Sequence, residues 1–417
     1  MDRTTLAELL DVSVLDRLDR IDDLPTGDLA RSAALRKEGF SAEVTAALLT
    51  QAQLRTEAVG KLGPYAAEML FTRDGLAQAT RLPVAAHHAQ RLLAAGRADG
   101  SDAPVRIADL GCGIGVDAFA FAGLGAEVRA VDADEVTAAI AAFNLRHLPG
   151  AEVAHGLAED AEIDGADALW FDPARRRVGR ANARGATARI ADPDEFSPSL
   201  TWVVDRAAKA HAAGVKLGPA LDHDLIPASA EAQWVSHDGD VVEVCLYFGA
   251  ARQRPGRSAL VMGERTLLVH EDDVPATDED GIGRLGAYLL EPDGAIVRAG
   301  LVTALTGPLQ ARRLNPSIAY LTTDVAPTGP AAAGVTAYEI VDVLPAKIPS
   351  LRKELIARGI GSVVIKKRGA DIVPDQVRRQ LKLPKGERAT LVFTRLGDKH
   401  VVLLTQPFTA PGTATES

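Results

Sequence analysis

Residues 105–132 set the strongest limit on how this 417-residue chain can fold. Val-Arg-Ile-Ala-Asp-Leu-Gly-Cys-Gly-Ile-Gly-Val-Asp, residues 105–117, carries an apolar strand into an acid and then three glycines at alternate positions. A helical stretch follows, and a second apolar strand, Ala-Glu-Val-Arg-Ala-Val-Asp, ends in Asp132. Two parallel strands with a helix between them, each delivering an acid at its C-terminal end, outline a nucleotide-binding edge. Gly111, Gly113 and Gly115 let the chain turn sharply and bring bare backbone against a ligand. A dinucleotide site would read G-x-G-x-x-G, but Val116 stands where its third glycine belongs. A carboxylate at Asp109 would also repel a pyrophosphate at the helix N-terminus. It suits a cationic ligand.

The sulfonium and amino groups of S-adenosylmethionine (SAM) meet that requirement, and Asp132 is placed to accept from both ribose hydroxyls. Asp109-Leu-Gly-Cys-Gly-Ile-Gly115 and Val131-Asp132 closely resemble motifs I and II of the class I SAM-dependent methyltransferases. The resemblance implies an α/β fold with a Rossmann-like, seven-stranded methyltransferase sheet. It also implies a cofactor site made of Asp109, Gly111, Gly113, Gly115 and Asp132. An NAD-type domain, or a strand–turn–helix without a ligand, are the competing readings.

Composition narrows the setting. Hydrophobic residues make up 47% and charged residues 24%, as in ordinary globular proteins, while aromatics at 4% leave the core to Ala, Val, Leu and Ile. A net charge of −10 means that any nucleic-acid contact must come from local basic patches. The two cysteines, Cys112 and Cys245, offer neither a metal-ligand spacing nor a disulfide framework, which points to a reducing cytoplasm. The N-terminus lacks the pattern of a signal peptide, and no apolar run is long enough to span a bilayer.

Three regions follow. Residues 1–98 read as helical: Leu6, Leu9 and Leu10 start one amphipathic pattern, and Ser41, with Glu43 close behind, is an N-cap before Val44, Ala47, Leu48 and Leu49. Residues 61–81 are distinctive for Tyr65, Phe71, Thr72, Arg73, Gln78 and Arg81 in an Ala/Leu-rich stretch. Tyr65 and Phe71 serve either core packing or substrate contact. Residues 96–104 form a polar linker. Residues 99–270 hold the SAM domain, with strands expected at 105–110, 127–132, 151–155, 167–172 and 214–218 and a hairpin of 241–248 with 258–262. Residues 271–417 hold a connector and a β-α-β-α-β-β domain. Its parts are 338–344, a helix at 349–358 between Pro349 and Gly359, 362–368, a helix at 374–383, and the pair 389–395 and 400–405.

A second signature is Asp167-Ala-Leu-Trp-Phe-Asp-Pro-Ala-Arg-Arg-Arg177, which delivers Asp172, Pro173, Ala174 and Arg175 to the same sheet edge. It resembles motif IV of amino-methylating nucleic-acid methyltransferases, the Asp/Asn/Ser-Pro-Pro-aromatic tetrapeptide. The resemblance implies that Asp172 and the Pro173 carbonyl accept hydrogen bonds from the target amine. Ala174 and Arg175 depart from the pattern; Arg175 replaces an aromatic residue that stacks on a base, and a guanidinium plane can stack too. Carbon-methylating RNA enzymes with Asp-Pro-Pro-Arg need a cysteine nucleophile, and neither cysteine here sits in a matching motif. In His155-Gly-Leu-Ala-Glu-Asp160 the resemblance places an adenine-binding acid near the glycine; Leu157 leaves that role to Glu159 or Asp160. Asn144 reads either as a helix end or as the Asn that some RNA methyltransferases keep after motif II.

Arg175, Arg176, Arg177, Arg180, Arg184 and Arg189 crowd the segment after motif IV, as a phosphate-binding patch or as a solvated loop. The C-terminal region adds Lys366, Lys367, Arg368, Arg378, Arg379, Lys382 and Lys385. Its element order and basic face are similar to THUMP-like RNA-binding modules, and 291–300 looks like a helix entry found in that combined family. The catalytic region is also similar to the trimethylguanosine synthase group. Together these imply a cytoplasmic RNA methyltransferase acting on an exocyclic base amine. A small-molecule or protein acceptor, or an RNA-binding protein with a vestigial SAM fold, remain alternatives.

Overall fold

Asp2, Asp11 and Ser41 each accept a hydrogen bond from a first-turn backbone N–H, and so start three of the helices that open the chain. The computed structural model describes residues 1–97, 103–173, 176–181, 187–189, 196–275, 284–397 and 399–408. The opening helices are α1 (Arg3–Leu9), α2 (Val12–Asp19), α3 (Asp28–Lys37), α4 (Ala42–Leu62), α5 (Arg73–Gln78) and α6 (Leu82–Gly96). Leu6, Leu9, Val44 and Leu48 are buried, as their spacing predicts. Phe71 is fully buried, whereas Tyr65 is half exposed and packs edge-on against Phe119.

The alternating region begins with β1 (Arg106–Leu110), α7 (Val116–Gly123), β2 (Glu127–Asp132), α8 (Glu135–Leu145), β3 (Ala151–His155) and β4 (Ala168–Phe171). It continues with β5 (Arg176–Ala181), β6 (Thr187–Arg189), α9 (Leu200–Lys209) and β7 (Ala212–Leu217). Strands β1, β2, β3, β4 and β7 pair in parallel, in the order β7-β4-β1-β2-β3. Ala, Val, Leu and Ile fill both faces of the central strands, as a doubly covered parallel sheet requires.

Next come β8 (Glu231–His237), β9 (Asp240–Gly249), β10 (Gly256–Met262) and β11 (Leu267–His270). Here the expected hairpin of 241–248 with 258–262 needs correction. Strand β8 lies between β9 and β10, the order being β11-β10-β8-β9, so the sheet is larger than the seven strands expected. Glu231, Gln233 and Ser236 put buried polar groups into β8 and conceal it in the sequence. Buried Glu231 is held by Arg91 and by the backbone N–H groups of Gln253 and Arg254.

The chain ends with β12 (Tyr288–Pro292), α10 (Gly294–Ala299), β13 (Ala311–Asn315), β14 (Ile318–Thr323), β15 (Val335–Pro345), α11 (Ile348–Ala357), β16 (Ile360–Lys367), α12 (Pro374–Leu381), β17 (Glu387–Leu396) and β18 (Lys399–Pro407). They form a seven-stranded sheet ordered β13-β14-β12-β15-β18-β17-β16. The β-α-β-α-β-β order expected there is present; β12 to β14 extend the sheet beyond it. The backbone divides into two compact units, one of Met1–Leu217, Asp222–Glu231 and Cys245–Pro255, the other of Gly218–Leu221, Ala232–Val244 and 256–417. Among the described residues no helix is long and apolar enough to cross a membrane.

Candidate functional site

Each glycine of the loop between β1 and α7 has its own reason to lack a side chain. Gly111 has a φ of 94°, and a Cβ there would stand 2.7 Å from the carbonyl oxygen of Asp172. Gly115, with φ 85°, lets α7 lie against α8; a Cβ would meet Leu145 at 2.8 Å and Ala141 at 3.2 Å. Gly113, with φ 55°, has nothing within 4 Å of that position and leaves its backbone open to a ligand.

Asp132, at the end of β2, faces this loop. Its Oδ2 accepts from the Gly113 N–H at 2.9 Å and its Oδ1 from the Asp134 N–H at 2.9 Å. Burial raises its pKa against those two hydrogen bonds. Asp109 lies deeper, fully buried, with neither carboxylate oxygen hydrogen-bonded among the described residues. Burial, followed by the charges of Asp117 and Asp172, pushes its pKa well above the usual carboxylate range.

Asp172 follows β4 and lies beside Gly111, its N–H donating to the Leu110 carbonyl at 3.2 Å. Its Oδ2 is 2.6 Å from the Lys216 ammonium on β7. Lys216 also donates to the Thr80 hydroxyl at 2.8 Å and lies 3.3 Å from Asp117 Oδ2. Thr80 in turn donates to Asp117 Oδ2 at 2.7 Å, and the ring of His88 bonds Asp117 Oδ1 at 3.2 Å. Burial alone would raise the Asp117 pKa, but Lys216, His88 and Thr80 hold it well below the usual range. Nothing in the motif spacing announced this network. Its one sequence signal is a lysine within the otherwise apolar Gly214-Val-Lys-Leu217 strand.

A cavity of about 950 Å³ opens over these groups, at the upper end of the range for small-molecule sites. Its walls include Gly111, Cys112, Gly113, Asp132, Asp172 and Lys216, and the N-terminal helices add Thr50, Thr72 and Arg73. Two buried amides fix that helical wall. Gln51 bonds both the N–H and the carbonyl of Phe71, and Asn144 bonds both groups of Leu70 and also the Ile114 carbonyl. Asn144 is therefore a clamp between the N-terminal region and the glycine loop, not merely a helix end. Lys61 donates to the carbonyls of Leu76, Ala77 and Ala79, and burial with help from Arg81 and Lys216 lowers its pKa to about 8.

The donor set fits a cationic cofactor. Four carboxylates, Asp109, Asp117, Asp132 and Asp172, lie close together with one lysine that pairs with two of them, and the most deeply buried has no hydrogen-bond partner among the described residues. Sequence comparison decides between the possible cations. A SAM-dependent methyltransferase of Mycobacterium tuberculosis, matched in two strains, is 33% identical over 359 residues, covering 82% of this chain and 91% of the relative. This chain belongs to the SAM-dependent methyltransferases. A crystal structure described as a methyltransferase from Porphyromonas gingivalis W83 shares the fold, with a TM-score of 0.66, 18% identity and 97% of each chain covered. The THUMP domain-like family matches residues 335–407, β15 to β18 with α11 and α12 between them.

The methyltransferase thus uses SAM. Gly111, Gly113, Asp132 and Asp172 line the cavity at one sheet edge, whereas Asp109 and Gly115 are buried at the same edge behind its wall. Glu159 and Asp160 do not join them: both are exposed on the turn after β3 and lie outside the cavity wall. Pro173 is buried. Arg175 and Arg184 lie outside the described residues; the backbones of Arg176 to Ala181 and Thr187 to Arg189 form a two-stranded ribbon. In the THUMP-like domain the basic residues differ in role. Lys366 pairs with Glu291 at 2.5 Å, Lys367 bonds the Ile372 carbonyl, Arg368 bonds the Ala319 carbonyl, and Arg378 pairs with Asp375. Arg379, Lys382 and Lys385 are exposed.

Proposed function

We propose that the methyl acceptor is an exocyclic amine of a base in RNA, oriented by Asp172 and the Pro173 carbonyl. The observation that carries this reading is the place of Asp172: the residue lines the cavity with its backbone carbonyl beside Gly111, and its carboxylate is paired with Lys216. An ionised carboxylate accepts hydrogen bonds and donates none, so it favours N–H groups as partners. SAM supplies an already activated methyl group when bound, which leaves the protein to position and to place charge. Asp109 and Asp132 hold its cationic and ribose parts. Asp172 turns the amine lone pair toward the reacting carbon, and the displaced proton leaves to solvent or to a carboxylate.

The thiols argue against carbon methylation through a cysteine. Burial pushes the Cys112 thiol well above its ordinary pKa, and Cys245 is buried in β9. The THUMP domain-like match and the arginine-rich segment from 175 to 189 favour RNA over a small acceptor. Two buried cysteines, neither in a disulfide, fit a reducing cytoplasm. The test is a mass-spectrometric comparison of modified nucleosides in RNA from cells with and without the gene. The expected result is one methylated base that disappears with the gene and returns with the wild-type chain but not with Asp172→Ala. An unchanged nucleoside profile overturns the RNA reading.

A further inference from the structure

Lys216 is 8% exposed, and an ammonium removed from water needs full compensation. It finds three acceptors, Asp172, Thr80 and Asp117, one for each N–H. Neutralising Asp117 alone would require the shortest contact to be there. Instead Asp172 is nearer, at 2.6 Å against 3.3 Å. Thr80 accepts from Lys216 and donates to Asp117, and His88 takes the other Asp117 oxygen, so the ammonium has little freedom to swing. His88 itself is fixed, buried against the Trp170 ring at 4.5 Å between centroids.

We propose that Lys216 is a positioning residue for methyl transfer, fixing one oxygen of Asp172 from a buried post built of Asp117, Thr80 and His88. The proposal rests on the reading of Asp172 as the group that orients the acceptor. Asp172 shares its surroundings with the like charges of Asp109 from β1 and Asp132 from β2, and Asp117 from α7 meets it across Lys216. Lys216 from β7 opposes them, while Lys61 and Arg81 lie farther out as like charges to Lys216. Without Lys216 the carboxyl gains both rotational freedom and proton affinity. A protonated carboxyl would present a donor where the amine needs an acceptor.

The experiment compares the full-length wild type with Lys216→Met, Lys216→Arg and Asp117→Asn. One readout needs no acceptor: the titration of the Asp172 carboxyl by carbon-13 NMR of aspartate-labelled protein, assigned by its loss in Asp172→Asn. The midpoint is expected to rise by about one pH unit or more in Lys216→Met and to return toward wild type in Lys216→Arg. A midpoint that does not move overturns the proposal, whatever the acceptor is. The second readout is transfer of labelled methyl from SAM to total RNA of cells lacking the gene. At saturating RNA the rate in Lys216→Met is expected to fall about 100-fold, with SAM affinity by calorimetry within about threefold of wild type and partial recovery in Lys216→Arg. A slower rate that merely tracks weaker SAM binding or impaired folding also overturns it. Should Lys216→Met fail to fold, Lys216→Arg and Asp117→Asn carry the same titration. Should the wild type methylate no RNA, the acceptor reading falls alone, and the titration still decides the role of Lys216.

Discussion

At the residue scale the acids in and behind the cavity wall differ sharply in what they do to the folded protein. Asp109 holds a proton in the folded chain well above the ordinary value of 3.8, mainly because it is buried. Its contribution to stability is therefore complete below that value and is lost as pH rises through the raised pKa. Asp117 is the reverse, paired with Lys216 and His88; its contribution is present above 3.8 and is lost as pH falls. A cation bound beside Asp109 displaces the proton, so the rise in melting temperature that SAM causes is expected to grow as pH rises through the raised pKa of Asp109. Scanning calorimetry with and without SAM across a pH series checks this; an equal rise at every pH argues that Asp109 does not respond to the cofactor. Asp109→Ala is expected to abolish SAM binding measured by titration calorimetry, and unchanged affinity would remove Asp109 from the site. The sequence displays Asp109, Asp132 and Asp172, because each ends an apolar strand. It does not display Lys216, Thr80 or His88, whose meeting with Asp117 spans separations of up to 99 residues.

At the scale of elements, the glycine loop is legible because positive φ and close backbone approach leave a composition mark. Gly111→Ala would force a Cβ against the Asp172 carbonyl at a φ of 94°. It is expected to cost about 1–3 kcal/mol of stability and to weaken SAM binding, read by chemical denaturation and calorimetry. A variant with wild-type stability and affinity would mean that the loop relaxes freely. Strand β8 is illegible because buried Glu231 and Gln233, paired inside the fold with Arg91 and Ser258, and buried Ser236 break the apolar pattern that marks its neighbours. The Asn144 clamp shows in the sequence only as a position, since its partners Leu70 and Ile114 come from different elements. Asn144→Leu leaves the Leu70 N–H unsatisfied and should cost about 1–3 kcal/mol, with faster proteolysis between Met69 and Thr80. Proteolysis at the wild-type rate would show that other interactions hold that segment.

At the scale of the whole molecule, an acidic chain with a net charge of −10 must concentrate its basic residues to meet RNA. Within the THUMP-like domain the exposed Arg379, Lys382 and Lys385 are the candidates, because Lys366, Lys367, Arg368 and Arg378 already have partners in the protein. Replacing the three exposed residues by Glu should weaken RNA binding and leave SAM affinity intact. For single-stranded RNA, the slope of log affinity against log salt should fall by about 0.7 for each phosphate that the protein no longer neutralises. An unchanged slope would move the RNA-binding face away from α12 and its exit. The order of elements in this domain is readable because Pro349, Gly359 and Pro374 mark the ends of its helices. The bidentate grip of Asn144 on Leu70 also bears on modularity. A fragment cut at the sequence-level boundary near residue 98 would strand a buried amide and strip one wall from the cofactor cavity. The smallest stretch that could be transplanted as a working SAM-binding part therefore has to begin upstream of Gln51, and the helical region is an inseparable half of that part.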